Sequence, residues 1–150
     1  METAMFTHIL LPTDGSEQCR KSIEGALKLA RATGCRLTAY TCIEEFPNLA
    51  YSAGVGECPH AHYMETVQGY AKDCIEHIAE RAQEEGVQFD SDVSQFPEPY
   101  LGILDAAKRH ACDVIFMASH GHRSLMGRLL IGNETRKVLT YAHVPVVVYR

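Results

Sequence analysis

The chain has 150 residues, 46% of them hydrophobic and 22% charged, with a formal net charge of -5. That length and apolar content suffice for one self-contained core, so a single domain over residues 1–150 is expected. The acidic balance argues against general nucleic-acid and membrane-surface binding, a local basic loop aside; with no apolar run of transmembrane length and no signal-peptide pattern, the expected location is the cytoplasm.

In chain order, Phe6-Thr7-His8-Ile9-Leu10-Leu11-Pro12 is a near-continuous apolar run, the pattern of a central parallel strand covered on both faces. Thr13-Asp14-Gly15-Ser16 is a turn, with Ser16 placed to cap a helix whose apolar positions are Ile23, Ala26, Leu27 and Ala30 and whose stop is Gly34. Leu37 to Ile43 is rich in strand formers. Glu44 to His62 has no periodicity and carries Pro47, Gly54, Gly56 and Pro59, so it reads as an irregular connection. A second helix carries Met64, Val67, Ala71, Cys74, Ile75, Ile78 and Ala82 on one face and ends at Gly86. Val87 to Ser94 alternates as a strand near a sheet edge does. Pro97 and Pro99 lead into a third helix bearing Leu101, Leu104, Ala107 and His110. Asp113 to Met117 is a fourth buried strand, Thr135 to Leu139 opens a last helix, and Val144 to Tyr149 is a fifth strand.

This alternation implies βαβ crossovers and a parallel, doubly wound sheet. Ligands of such sheets sit beyond the carboxyl ends of the strands, where the strand order reverses. Two loops qualify. One follows strand one and carries Asp14. The other follows strand four and passes Gly121, Gly127 and Gly132 before the last helix, with Arg123 and Arg128 inside it. Glycines between a strand and a helix start let main-chain N–H groups approach a phosphate, and the helix adds unpaired donors and the positive end of its dipole. A carboxylate beside phosphate needs a divalent cation between them, so Asp14 suggests a Mg²⁺-type site. The plainer alternatives are a surface loop with ordinary turn glycines and an aspartate that only shapes its turn.

With these pieces in place the chain resembles the universal stress protein family over essentially its whole length. The carrying residues are Ile9-Leu10-Leu11-Pro12-Thr13-Asp14-Gly15-Ser16, Ala118-Ser119-His120-Gly121, Leu129-Leu130-Ile131-Gly132-Asn133-Glu134-Thr135, and Val138-Leu139 through Val144-Pro145-Val146-Val147-Val148. The resemblance implies a Rossmann-like, five-stranded α/β sheet of the adenine nucleotide alpha hydrolase kind, in the order 3-2-1-4-5 with helices on both faces. It also implies a homodimer in which the last strands, Val144 to Tyr149, pair across a two-fold. Many members bind ATP, with Mg²⁺ or Mn²⁺, through a G-x2-G-x9-G-[S/T] pattern. On that scheme Pro12, Thr13 and Asp14 border the ribose and the metal, and Cys42 lies by the adenine. Met117, Ala118, His120 and Gly121 line the sugar-phosphate turn, and Gly132, Asn133, Glu134 and Thr135 hold phosphates. The chain departs from the pattern three times: Ala118 replaces its first glycine, ten residues separate Gly121 from Gly132, and Asn133 holds the Ser/Thr position. Two functions therefore stand side by side. One is an ATP-binding regulator of the stress response; the other is a dimeric interaction module that binds no nucleotide.

Other constellations carry less. Cys58, His60 and His62 are metal-ligand types, but a closed site needs a further ligand and a rigid frame, and a solvated loop accounts for them. Ser119-His120-Gly121-His122 lacks the spacing of the nucleotidyltransferase H-x-G-H signature, and Thr13-Asp14-Gly15-Ser16 lacks the paired glycines of the ATP-pyrophosphatase loop. No Ser/His/Asp or Cys/His set converges for nucleophilic catalysis, so any ATP hydrolysis is expected to be slow. The six cysteines form no CxxC and read as small buried thiols of a reducing compartment.

Overall fold

The computed structural model describes residues 3–45, 59–119 and 131–150. Its elements are β1 (His8–Pro12), α1 (Glu17–Thr33), β2 (Arg36–Glu44), α2 (Pro59–Glu84), β3 (Phe89–Phe96), α3 (Pro99–Arg109), β4 (Val114–Ala118), α4 (Asn133–Tyr141) and β5 (Val146–Tyr149). The strands form one parallel sheet in the order β3-β2-β1-β4-β5. This is the Rossmann-like arrangement that the resemblance implied.

All five residues of β1 are buried because the strand is central and helices cover both its faces. Ile9 and Leu11 enter one core with Ile23, Ala26, Leu27 and Ala30 of α1 and Ile78 and Ala82 of α2. Leu10 enters the other with Ile103, Ala106 and Ala107 of α3 and Val138 of α4. α1 ends where Gly34 turns left-handed at φ 72°, a conformation that costs glycine nothing. Ser16 stands at the N-cap of α1, but its hydroxyl makes no cap bond.

Most element ends shift by one or two residues, and three of the shifts have a visible cause. α2 begins at Pro59, so Pro59 to His62 is helical and not part of an irregular connection; proline suits a first helical position, where no amide bond is lost. β3 runs two residues later than its alternation suggested. The Val87 amide still bonds Ala82 of the preceding helix, and Gln95 and Phe96 continue the pairing with Ile43 and Glu44. β5 begins at Val146, after Pro145 has given its carbonyl to the Ile115 amide. The buried face of α3 is also turned from the expected one: Gly102, Ile103, Ala106 and Ala107 are inside, while Leu101 is 37% exposed. Gly102 explains the turn. A Cβ there would stand 2.1 Å from the hydroxyl of buried Tyr40 and 3.1 Å from Phe96, so only glycine lets α3 lie this close.

The amino ends of the strands are tied by polar groups. Asp113 accepts the Thr7 amide at 2.8 Å, the Thr7 hydroxyl at 2.7 Å and the His8 amide at 3.0 Å. Buried His8 shares a 2.7 Å hydrogen bond between its Nε2 and the Thr38 hydroxyl, and its Nδ1 is buried without a partner. Burial, and then Arg36, hold the His8 pKa below its ordinary 6.5, with the main chain at His110 and the Asp113 charge pulling the other way.

Two outcomes follow. Gly102→Ala should cost about 1–3 kcal/mol in urea unfolding, and adding Tyr40→Phe should recover part of that loss by removing the opposing oxygen. No recovery would place the strain elsewhere. Because the folded His8 pKa is depressed, the unfolded chain takes up the proton first. Its contribution is complete above about pH 6.5 and is lost as the pH falls below that value. His8→Gln, which can still meet Thr38, should flatten the fall in urea midpoint below about pH 6.5; an unchanged slope would assign it to other groups.

Candidate functional site

Strand order reverses between β1 and β4: β2 and β3 extend the sheet on one side, and β5 on the other. β1 leads to α1 on one face of the sheet and β4 leads to α4 on the other; ligands of doubly wound sheets sit at the carboxyl edge between two such strands.

The loop after β1 is braced from within. The Thr13 amide bonds Tyr40 O at 2.9 Å. The Thr13 hydroxyl accepts the Gly15 amide at 3.2 Å and lies 3.6 Å from Cys74 Sγ on α2, so this side chain belongs to the α1/α2 face. Asp14 is exposed, and its Oδ1 accepts the Ser16 amide at 2.9 Å and the Cys19 thiol at 3.0 Å. Burial, and then the Asp14 charge, push the Cys19 thiol up to about 11, which keeps it protonated and donating. Gly15 takes φ 76° to make the turn. The Ser16 hydroxyl oxygen is buried without a partner.

The loop after β4 closes on itself. Ser119 O accepts the Gly132 amide at 2.7 Å, and the Ser119 amide bonds Tyr149 O of β5 at 3.0 Å. Ser119, the last residue described after β4, and Gly132, at the start of α4, are thus in direct contact. The helical ladder of α4 starts with Arg136 N–H to Gly132 O at 3.0 Å, so it provides no partner for the amides of Asn133, Glu134 and Thr135. The Thr135 hydroxyl is buried and donates to Ala118 O at 3.0 Å, which sets the helix on the strand end.

Of the residues expected at the site, Pro12, Cys42 and Met117 lie on the α3/α4 face of the sheet by strand alternation, with Met117 and Cys42 in that core. Burial raises the Cys42 thiol, and Glu134 is near enough to add to the rise. Ala118, Gly132, Asn133, Glu134 and Thr135 gather where β4 ends and α4 begins. His120 and Gly121 lie outside the described residues, as do Arg123, Gly127, Arg128 and Cys58. His62 is exposed on the first turns of α2. Among the described residues no group of three or more His, Cys, Asp or Glu side chains is set to hold a metal ion. A Mg²⁺ at Asp14 would therefore take its other oxygens from phosphate and water, as magnesium ordinarily does. Sequence reasoning missed Cys19 and Cys74, which brace the Asp14 turn, and Tyr100 and Lys137, which meet Glu134. Cys74 and Tyr100 act across elements distant in the chain, which no local pattern announces; Cys19 and Lys137 lie within a turn or two of their partners, where i, i+3 spacing could have pointed to Lys137.

The fold defines a doubly wound α/β protein, and its candidate site is the switch point between β1 and β4. The model of the universal stress protein family matches residues 5–150, and the chain belongs to that family. It is 26% identical to universal stress protein YxiE of Bacillus subtilis over 151 residues, covering 97% of this chain and all of that one. The crystal structure of a family protein from Burkholderia pseudomallei superposes with a TM-score of 0.78 at 19% identity, over 99% of this chain and 98% of that one. The universal stress protein of Archaeoglobus fulgidus in complex with dAMP superposes with a TM-score of 0.67 at 14% identity, over 99% and 100%. Among the described residues, no helix is long and apolar enough to cross a membrane.

The bracing of the first loop can be tested apart from any ligand. Asp14→Ala should cost about 1 kcal/mol, the usual loss when a turn or cap acceptor is removed, while Asp14→Asn, which keeps an oxygen for the Ser16 amide, should unfold close to wild type. Equal losses in both variants would mean that the charge, and not the acceptor, holds the turn.

Proposed function

We propose that the chain binds an adenine nucleotide between the loop after β1 and the start of α4, and that occupancy acts as a regulatory signal in the stress response. The observation that carries this reading is the closed neck between Ser119 and Gly132. It brings the glycine loop back to the carboxyl end of the sheet and leaves the first amides of α4 outside the helical ladder. Those amides and the positive end of α4 suit phosphate. The dAMP held by the Archaeoglobus fulgidus relative supports an adenine ligand. We take ATP with Mg²⁺ (or Mn²⁺) as the occupant, with Asp14 as the protein's ligand to the metal, Cys42 and Met117 beside the nucleoside, and His120 and Gly121 on the phosphate turn. Because the Gly132 amide is engaged at the neck, the phosphate donors are the amides of Asn133, Glu134 and Thr135. No dedicated catalytic group is assigned.

The same reading makes the chain a homodimer through Val144 to Tyr149. β5 is an edge strand of Val-Val-Val-Tyr, paired only with β4 among the described residues. An apolar edge of this kind calls for a cover. The second reading, a dimeric module without nucleotide, draws on the longer spacing, on Ala118 and on the carboxylate of Glu134 in the first turn of α4.

The deciding experiment is mass spectrometry of small molecules released from the freshly purified protein, with calorimetric titration by Mg-ATP. Wild type should carry or take up adenine nucleotide at about one per chain, and Gly132→Val should lose it while remaining dimeric. Gly132 has φ -59° and ψ 154°, which valine also adopts, so the variant adds bulk without backbone strain. An empty wild type that ignores Mg-ATP would favour the module, and an unchanged affinity in the variant would remove the site assignment.

A further inference from the structure

We propose that Glu134 is a positioning residue, latching the first turn of α4 onto the start of α3 and so fixing where the α4 amides point; this rests on the nucleotide reading above. The place of Glu134 in the glycine pattern assigns it to the phosphates, yet its carboxylate is engaged elsewhere. Oε2 accepts the Tyr100 amide at 2.8 Å, across 34 positions of sequence. Tyr100 is the second residue of α3, where amides have no partner in their own helix. The N-cap residue of α3, Glu98, makes no side-chain cap bond. Glu134 thus caps α3 from another helix. Its Oε1 faces Lys137 Nζ at 3.4 Å, and the same ammonium reaches Glu98 at 3.2 Å and stands 5.0 Å above the Tyr100 ring. Tyr141, at the far end of α4, stacks on Tyr100 at 5.8 Å between ring centres.

The latch matters because α4 buries little of its own surface. The helix has nine residues and buries only Thr135 and Val138. The bond from Thr135 to Ala118 fixes one point on its axis. The bond from Glu134 to Tyr100 fixes a second and sets the rotation. Pairing with Lys137 also offsets the negative charge of Glu134 beside a phosphate site.

The test uses Glu134→Ala and Glu134→Gln in the full chain, the glutamine keeping an oxygen for the Tyr100 amide. Two readouts are needed: hydrogen exchange of the Tyr100 amide without nucleotide, and Mg-ATP affinity by calorimetry. Glu134→Ala should speed exchange and weaken affinity, each by about tenfold, the effect of losing one charge-assisted hydrogen bond. Glu134→Gln should keep both within about threefold of wild type although the charge is gone. Affinity lost equally in both variants would overturn the proposal, because Glu134 would then act on the ligand or its metal by charge. So would unchanged Tyr100 exchange in Glu134→Ala. If wild type binds no Mg-ATP, the nucleotide reading fails by itself. Tyr100 exchange then decides the latch: faster exchange in Glu134→Ala upholds it, and unchanged exchange removes it.

Discussion

The main chain of Ser119 holds three elements together. Its carbonyl takes the Gly132 amide at the entry to α4, and its amide gives to Tyr149 on β5. One residue past the end of β4, the chain is thus tied to the edge strand on one side and to the last helix on the other. This explains how the longer glycine spacing is accommodated. Once the two ends meet, loop entropy grows only with the logarithm of length. One residue added to an excursion of this size costs on the order of 0.1 kcal/mol. The bonds of Ser119 to Gly132 and of Thr135 to Ala118 set the helix start on the sheet whatever the length of chain between them.

Charge at this edge is arranged to the same end. Two like charges about 4 Å apart near a protein surface repel by about 4 kcal/mol, so a phosphate site cannot tolerate unbalanced carboxylates. Glu134 is balanced by Lys137 and by the Tyr100 amide. Asp14 is exposed, and its Oδ1 accepts from the turn that it shapes. The turn fixes the direction of the carboxylate before any ligand arrives. For Asp14, shaping the turn is the role that its hydrogen bonds establish.

The strands were legible because a central parallel strand has no polar face: the runs at Ile9 to Leu11 and Val114 to Met117 sit where their continuous apolarity required. The strand order followed from the family resemblance, since alternation alone fixes a parallel sheet and not its sequence of neighbours. Boundaries drifted where one residue serves two elements, as at Val87, whose amide still belongs to the preceding helix. The face of α3 was misread because Leu101 and Ala106 look equally apolar in a list, while the contact that orients the helix is the bare Cα of Gly102 over Tyr40. At the site, Asp14, Gly132 and Thr135 were visible as types at expected places. The bonds of Glu134 to Tyr100 and of Cys19 to Asp14 were not, since they depend on how helices and turns meet in space.

The two edges of the sheet bear on assembly. β3 presents Asp90, Ser91, Asp92 and Ser94 along its length, and Asp92 is bound to Arg109, the last residue of α3, and to His110, its C-cap. A polar edge, backed by a helix that uses its carboxylates, discourages another strand from adding. β5 has none of this. It is Val-Val-Val-Tyr, partly buried on its own sheet, and its last carbonyl is bound to Ser119. A partner strand on β5 would lie one hydrogen-bonded step from the neck of the glycine loop. Whatever pairs with that edge would therefore adjoin Ser119, the residue that also holds the start of α4.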